Sequence, residues 1–452
     1  MNSVRLIAAI MLAAALAACG GGVGRIASAL NPFDSNTPSQ TAPEEGRVTI
    51  LAAEQPLAPD PALASRVIVV PAPSPSTEWT QPGGNAMNAP VNIMGEATLT
   101  IARRISLGAG SNNRVRIAAP PVIANGRLFF LDAEHEVHAV DVAAGREVWR
   151  QRLRPAESRD RVARGGGLAV GDGRVYVTTG FGFAVALNAD TGEEVWRADG
   201  GAPFQGAPTA SGARVFAVTN NSELLGIDAA TGEVSWTHQA ISEPARILAA
   251  SSPAVAGETV VAPFASGEIM ALLGANGRRL WVDGLTRAGR LTSLSAINDV
   301  AGRPAIDNGV VFAVSHSGVL AAIDLRSGQR VWARSFASTQ TPWIAGDVLY
   351  AVTIDGELAA FDRTSGAAYW VRQLRRYEDA EDSTGRIAWV GPIMVGGRLI
   401  LANSLGEIVA VNPVNGEVQT TRDLDAPVFI PPIAANGAIY VVTDEARLIV
   451  LN

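Results

Sequence analysis

Four histidines and one cysteine are the side chains of this 452-residue chain best suited to hold a metal or attack a carbonyl. His135 and His138 stand three apart around an expected turn, a spacing at which two imidazoles can share one zinc ion. Neither a cysteine nor a carboxylate cluster of known ligand spacing accompanies them, and His238 and His316 lie far along the chain, so no metal site is expected. No glycine-rich phosphate loop opens a helix, and no Gly-x-Ser-x-Gly elbow joins a strand to a helix, which removes the footing for nucleotide and serine-hydrolase chemistry. Glu378, Asp379, Glu381 and Asp382 form a local acidic run that reads as a solvated loop. Catalytic residues are therefore not expected, and neither is a cofactor.

The rest of the composition says where such a chain can work. Hydrophobic residues make up 48% and charged residues only 17%, which excludes wholesale disorder and allows a large buried core. A net charge of −7, with arginine supplying all 36 basic side chains and no basic cluster, argues against a nucleic-acid partner, which needs a concentrated basic surface. Arg5, the apolar run from Leu6 to Ala18 and then Cys19 have the form of a secretory signal, too short to span a bilayer permanently. Leu16-Ala17-Ala18-Cys19 resembles the lipobox of bacterial lipoproteins, in which the cysteine thiol receives a diacylglyceryl group. Residues 1–18 are thus expected to be a cleaved signal peptide and Cys19 the lipidation site, which also accounts for an exported chain without disulfides. Gly20 stands where inner-membrane retention signals of the enterobacterial type place Asp, so the expected address is the periplasmic face of the outer membrane. Residues 19–90, rich in Ala, Pro, Ser and Gly, read as a tether. Two apolar runs, Val48 to Ala53 and Val67 to Pro71, could be strands or docking segments, and Trp79 with Gly83-Gly84 hints at a packed entry to the main domain.

That domain, residues 91–452, is a repeat. Six of the nine tryptophans, Trp149, Trp196, Trp236, Trp281, Trp332 and Trp370, each lie four residues after a glycine. Four residues before those glycines stand Asp141, Asn188, Asp228, Leu273, Asp324 and Asp362. A seventh copy runs from Asn412 to Gly416 with Thr420 in place of the indole, and an eighth starts at the segment ending in Asn452. The starts are 38 to 51 residues apart, the length of four short strands, which predicts an all-β, eight-bladed propeller with four antiparallel strands per blade. In each copy the acid or amide can accept backbone hydrogen bonds in a turn, the glycine supplies a positive φ, and the tryptophan is read as a key between neighbouring blades. The last copy lacks an outer strand, and residues near 97–107, which have strand character, are expected to supply it and close the ring.

This repeat resembles the tryptophan-docking repeat of propellers that bind pyrroloquinoline quinone. The dehydrogenases of that family carry adjacent cysteines over the cofactor and acidic calcium ligands, and a chain whose one cysteine is Cys19 lacks the first of these parts. Over about residues 95–452 the chain is similar to the BamB family, lipoprotein propellers of the outer-membrane β-barrel assembly machinery. The sharpest match is Leu294-Ser295-Ala296-Ile297-Asn298-Asp299-Val300-Ala301-Gly302-Arg303-Pro304, followed by Asp307 to Phe312 and Asp324 to Gly328. The resemblance implies a non-catalytic scaffold that binds the periplasmic POTRA repeats of the central barrel protein through this loop and the preceding one. It also implies help with insertion of β-barrel proteins, whose nascent strands could add to exposed sheet edges. Asp299 matches an acidic position of the family's contact loop, whereas a second acidic position is Ala301 here. The neighbouring loop lacks the family's Leu-Arg arrangement, although Arg246 lies close by. Asp299, Leu294, Ile297, Arg303 and Arg246 are accordingly the expected partner-binding residues. The longest connections, about 283–304 and 373–391, mix charges with apolar residues such as Leu291, Ile387 and Trp389, as binding loops on a rigid scaffold do. Two other readings stay open: a quinone-binding enzyme or sensor with a ligand in the funnel, and a generic periplasmic interaction propeller.

Overall fold

Short apolar strands separated by glycine turns cannot bury their faces singly, and here they stack as eight four-stranded antiparallel sheets, the expected eight-bladed propeller. The structure, a computed structural model, describes residues 57–155, 163–243, 251–286 and 299–452. Cys19, the run from Val48 to Ala53, Arg246, Leu294 and Ile297 lie outside them. Blades 1 to 7 occupy residues 122–152, 166–199, 209–239, 254–284, 305–335, 343–373 and 389–423. Within a blade the inner strands are buried on both faces, as in Val348–Val352, while outer strands such as Arg330–Ser335 alternate or face solvent. The core is thus a ring of apolar layers between adjacent blades.

Each turn before an outer strand is built as the repeat predicts. The Asp228 carboxylate accepts from the N–H groups of Ala230 and Thr231, each at 2.9 Å, and the Gly232 N–H donates to the Asp228 carbonyl at 2.9 Å. At Leu273 the side-chain acceptor is gone, and main-chain bonds from Asn276 and Gly277 to its carbonyl keep the turn. The glycine has a second duty across the joint. A Cβ at Gly192, Gly232, Gly277, Gly328, Gly366 or Gly416 would lie between 2.5 and 2.8 Å from the indole of the preceding blade's tryptophan. That indole N–H donates to a carbonyl of the same turn: Trp149 to Ala189, Trp196 to Ala229, Trp236 to Gly274, Trp281 to Leu325, Trp332 to Arg363 and Trp370 to Pro413, all at 2.7 to 3.0 Å. On its own blade the ring meets an aromatic at 5.8 to 6.1 Å in five cases: Phe129, Tyr176, Phe216, Phe312 and Tyr350.

Ring closure is as expected. The strand Ile101–Ser106 pairs antiparallel with Arg447–Leu451 and becomes the outer strand of blade 8, whose other strands are Ile433–Ala435 and Ala438–Val442. Arg103 stands opposite Val450, the register position of the tryptophan in other blades. Its guanidinium donates to the carbonyls of Val142 and Ala143 at 3.4 and 3.0 Å, and a Cβ at Gly145 would run into it. Arginine thus fills the indole's place at the joint between blades 8 and 1, a substitution that spacing from a Gly–Trp pair could not reveal.

The tether expectation needs correction for residues 57–90, which belong to the folded unit Leu57–Asn452. Residues 76–95 travel once around the inner strands, touching every blade in order. The Ser76 carbonyl accepts from Asn436 of blade 8, Trp79 exchanges two bonds with Ile123 of blade 1, and the Thr80 carbonyl accepts from Val170 of blade 2. The Gln81 amide bridges both main-chain groups of Ala210 in blade 3. The carbonyls of Ala86 and Met87 accept from Val255 of blade 4 and Ile306 of blade 5. The Val91 carbonyl accepts from the Trp343 indole of blade 6, Ile93 bonds with Met394 and Gly396 of blade 7, and Gly95 returns to Gly437 of blade 8. The circle is buckled where Ser74 exchanges main-chain bonds with Asn92 and Met94, each at 2.8 Å. The inner edge of each blade has backbone groups that need partners, and the belt supplies them. With about one contact per blade the segment needs no strand period, which is why its composition passes for a linker.

Candidate functional site

Three features offer surfaces or chemistry: a cavity among the connections between blades, an acidic hairpin, and a histidine cluster in blade 1. The cavity has a volume of about 490 Å³ and draws its described lining from connections of most blades, with Arg116, Arg164, Arg303 and Asp444 as its charged side chains. Arg116 reaches Asp444 at 3.4 Å, and Arg164 donates to the carbonyls of Arg114 and Asn113 at 3.0 and 3.2 Å. Ile117, Phe429, Ile430 and Pro431 add an apolar wall. Arg303 also borders a small void against Trp79, Pro82 and Gly83 of the belt.

Of the five expected partner-binding residues, the structure describes Asp299 and Arg303. Leu294, Ile297 and Arg246 lie outside the described residues. Asp299 and Arg303 are only 1% and 8% exposed, and the Asp299 carbonyl accepts from the His316 N–H at 3.0 Å. Rather than reaching outward, Arg303 walls the cavity. The physical reason is the short descent from the loop into blade 5, whose inner strand starts at Ala305 and draws the chain inward.

The other long connection behaves differently. Tyr377–Asp379 and Thr384–Arg386 pair as a two-stranded hairpin, so the acidic run sits on a strand pair rather than a plain loop. Ile387 and Trp389, read as contact residues, are buried and serve as its root: the Trp389 indole donates to the Arg375 carbonyl at 2.8 Å, and the Ile387 N–H to that of Arg376 at 2.9 Å. Arg376 and Arg386 both pair with Asp355 of blade 6 and fix its bearing, while Glu378, Asp379, Glu381 and Asp382 stay exposed.

In blade 1, Asp132, Glu136 and His138 place ligand atoms within 4.8 Å of one another, a set that could hold a metal ion. Each main element already has protein partners. The Asp132 carboxylate accepts from the N–H groups of Ala109, Glu134 and Glu136, and His138 Nδ1 lies 2.7 Å from Glu147. Burial disfavours the His138 cation, but hydrogen bonds to Asp132 and Glu147 outweigh it and raise its pKa above the ordinary imidazole value. Burial likewise opposes the Asp132 anion, yet the bonds from His138 and the backbone hold its pKa below the usual carboxylate value. His135, three residues away, goes the other way: burial lowers its pKa to about 4, and its Nε2 accepts from the Gly180 N–H of blade 2 at 3.2 Å. Sequence spacing paired these two histidines, but their surroundings separate them, one pKa being raised and the other lowered.

Comparison with known proteins follows this geometry. The family model described as outer membrane protein assembly factor BamB matches residues 133–372 and 377–452. A protein of that name from Moranella endobia is 30% identical over 223 residues, 48% of this chain and 57% of the relative, so that match spans little more than half the relative's length. Its namesake from Escherichia coli is 26% identical over 353 residues, 77% of this chain and 88% of the relative. Among solved structures, BamB from Moraxella catarrhalis superposes with a TM-score of 0.65 at 20% identity, covering 78% of this chain and 99% of that one. A europium-containing methanol dehydrogenase superposes at 0.66 with 14% identity over 81% and 89%, a likeness of fold alone.

Proposed function

The chain belongs to the family of outer membrane protein assembly factor BamB, and from that premise we propose that it is a non-catalytic scaffold of β-barrel assembly in the outer membrane. It binds the POTRA repeats of the central barrel protein and aids insertion of barrel substrates, held to the periplasmic face of the membrane by lipid on Cys19. The observation that carries this reading is the match of the assembly-factor family to a closed, belted ring, a body suited to holding loops rigidly toward a partner. Leu294, Ile297 and Arg246 remain the proposed contacts, joined by the exposed hairpin 377–386. Several acyl chains on Cys19 would hold the chain durably at the membrane, where one alone binds marginally.

The test is affinity purification of the full chain from detergent-solubilised outer membranes of its host, comparing wild type with Leu294→Asp/Ile297→Asp. Recovery of the central barrel protein with wild type, and its loss with the double variant, is the expected result. No assembly component with either version would overturn the proposal. Asp299→Arg is unsuitable for this purpose, because a charge reversal at a buried position changes the fold as well as the contact.

A further inference from the structure

We propose that the cavity walled by Arg116, Arg164 and Arg303 binds a small organic anion, its carboxylate or phosphate group seated on the Arg303 guanidinium. Arg303 is the anomaly that motivates this. It is 92% buried, since only 8% of it is exposed, and its Nε has no hydrogen-bond partner. Among the described residues no carboxylate pairs with it, and burial lowers its pKa to about 10, which leaves it a cation at neutral pH. A buried charge without a counter-charge is among the costlier arrangements in a protein. Here it sits at the boundary of a cavity large enough for a small ligand.

The surroundings narrow the ligand's chemistry. Among the charged side chains of the described lining are three arginines and one aspartate, and Asp444 is already engaged by Arg116, so the wall is net positive. A guanidinium presents a planar fork of donors that matches carboxylate and phosphate oxygens two at a time. Gln205, Asn220 and Thr341 can donate further hydrogen bonds, while Ile117, Phe429 and Ile430 suit an apolar body. Bare inorganic ions would leave that apolar wall unused. The belt stands behind Arg303 through Trp79, Pro82 and Gly83, so a bound anion would touch the guanidinium that borders the belt.

Titration of the full chain with benzoate and, separately, phenyl phosphate, against chloride at matched ionic strength, tests the site by calorimetry and thermal melting. The expected result is saturable binding of one or both anions with a rise in melting temperature that chloride does not reproduce. Which of the two binds more tightly identifies the oxyanion. Arg303→Gln should weaken binding at least tenfold, yet melt without anion at or above the wild-type temperature, because a buried unpaired charge has been removed. Arg116→Gln, which leaves Asp444 unpaired on the wall, should also weaken binding and guards against a misfolded first variant. Absence of saturable binding beyond chloride, or equal affinity in wild type and both variants, would overturn the proposal. Neither outcome bears on the assembly partner, which the co-purification reads separately.

Discussion

His135 and His138 show how two like residues three positions apart can oppose each other. His135 is neutral in the folded chain, with a pKa lowered from 6.5 to about 4, so the unfolded state binds more protons between those values. Its contribution is present above pH 6.5 and is lost as pH falls toward 4, by about 3 kcal/mol at most from the size of the shift. His138 has a raised pKa, so its contribution is complete below 6.5 and is lost as pH rises through the folded value. Replacing His135 by Asn keeps a residue tolerant of its φ of 61° and an acceptor without a titrating ring. Melting curves at pH 7.5 and pH 5 should show His135→Asn losing less stability on acidification than wild type. An identical loss in both proteins would remove His135 from the account. Neither direction was visible in the sequence, because it is set by burial in one case and by bonds to Asp132 and Glu147 in the other.

The joint between blades is the element that the sequence displayed most openly. Gly and Trp four apart suggested a unit within one blade, whereas the contact is between the indole of one blade and the glycine of the next. Gly232→Ala therefore meets two costs, a positive φ of 79° and the Trp196 ring, while Gly257→Ala meets only the first, at a φ of 56° with open space around it. Chemical denaturation should find a loss of about 1 kcal/mol for Gly257→Ala and about 3 kcal/mol for Gly232→Ala. Equal losses would mean that the indole yields freely. The aromatic partners were missed although a signal for them exists, since Phe129, Tyr176, Phe216, Phe312 and Tyr350 each precede the motif's acid or amide by the same twelve residues. Arg103 has no such signal, for its role comes from a strand register formed between distant parts of the chain. Of the expected contact residues, the two described, Asp299 and Arg303, are buried, for a loop's sequence does not say where it turns inward.

At the scale of the molecule the ring is secured twice, once by the outer strand 101–106 and once by the belt 76–95. The two should separate experimentally. A chain from which residues 57–96 are removed keeps the paired outer strand and should still fold, with a lower melting temperature and one cooperative transition. Removal of 97–107 as well leaves blade 8 with an open edge and should broaden or split the transition. If both truncations melted like wild type, neither fastening would matter. Both fastenings also fix an order of events. The belt and the closing strand are made well before their partners Asn436, Gly437 and Leu448 to Leu451. These early segments must wait, unpartnered, for those later residues, so folding of this propeller cannot finish progressively and depends on the chain being kept from aggregation until they emerge.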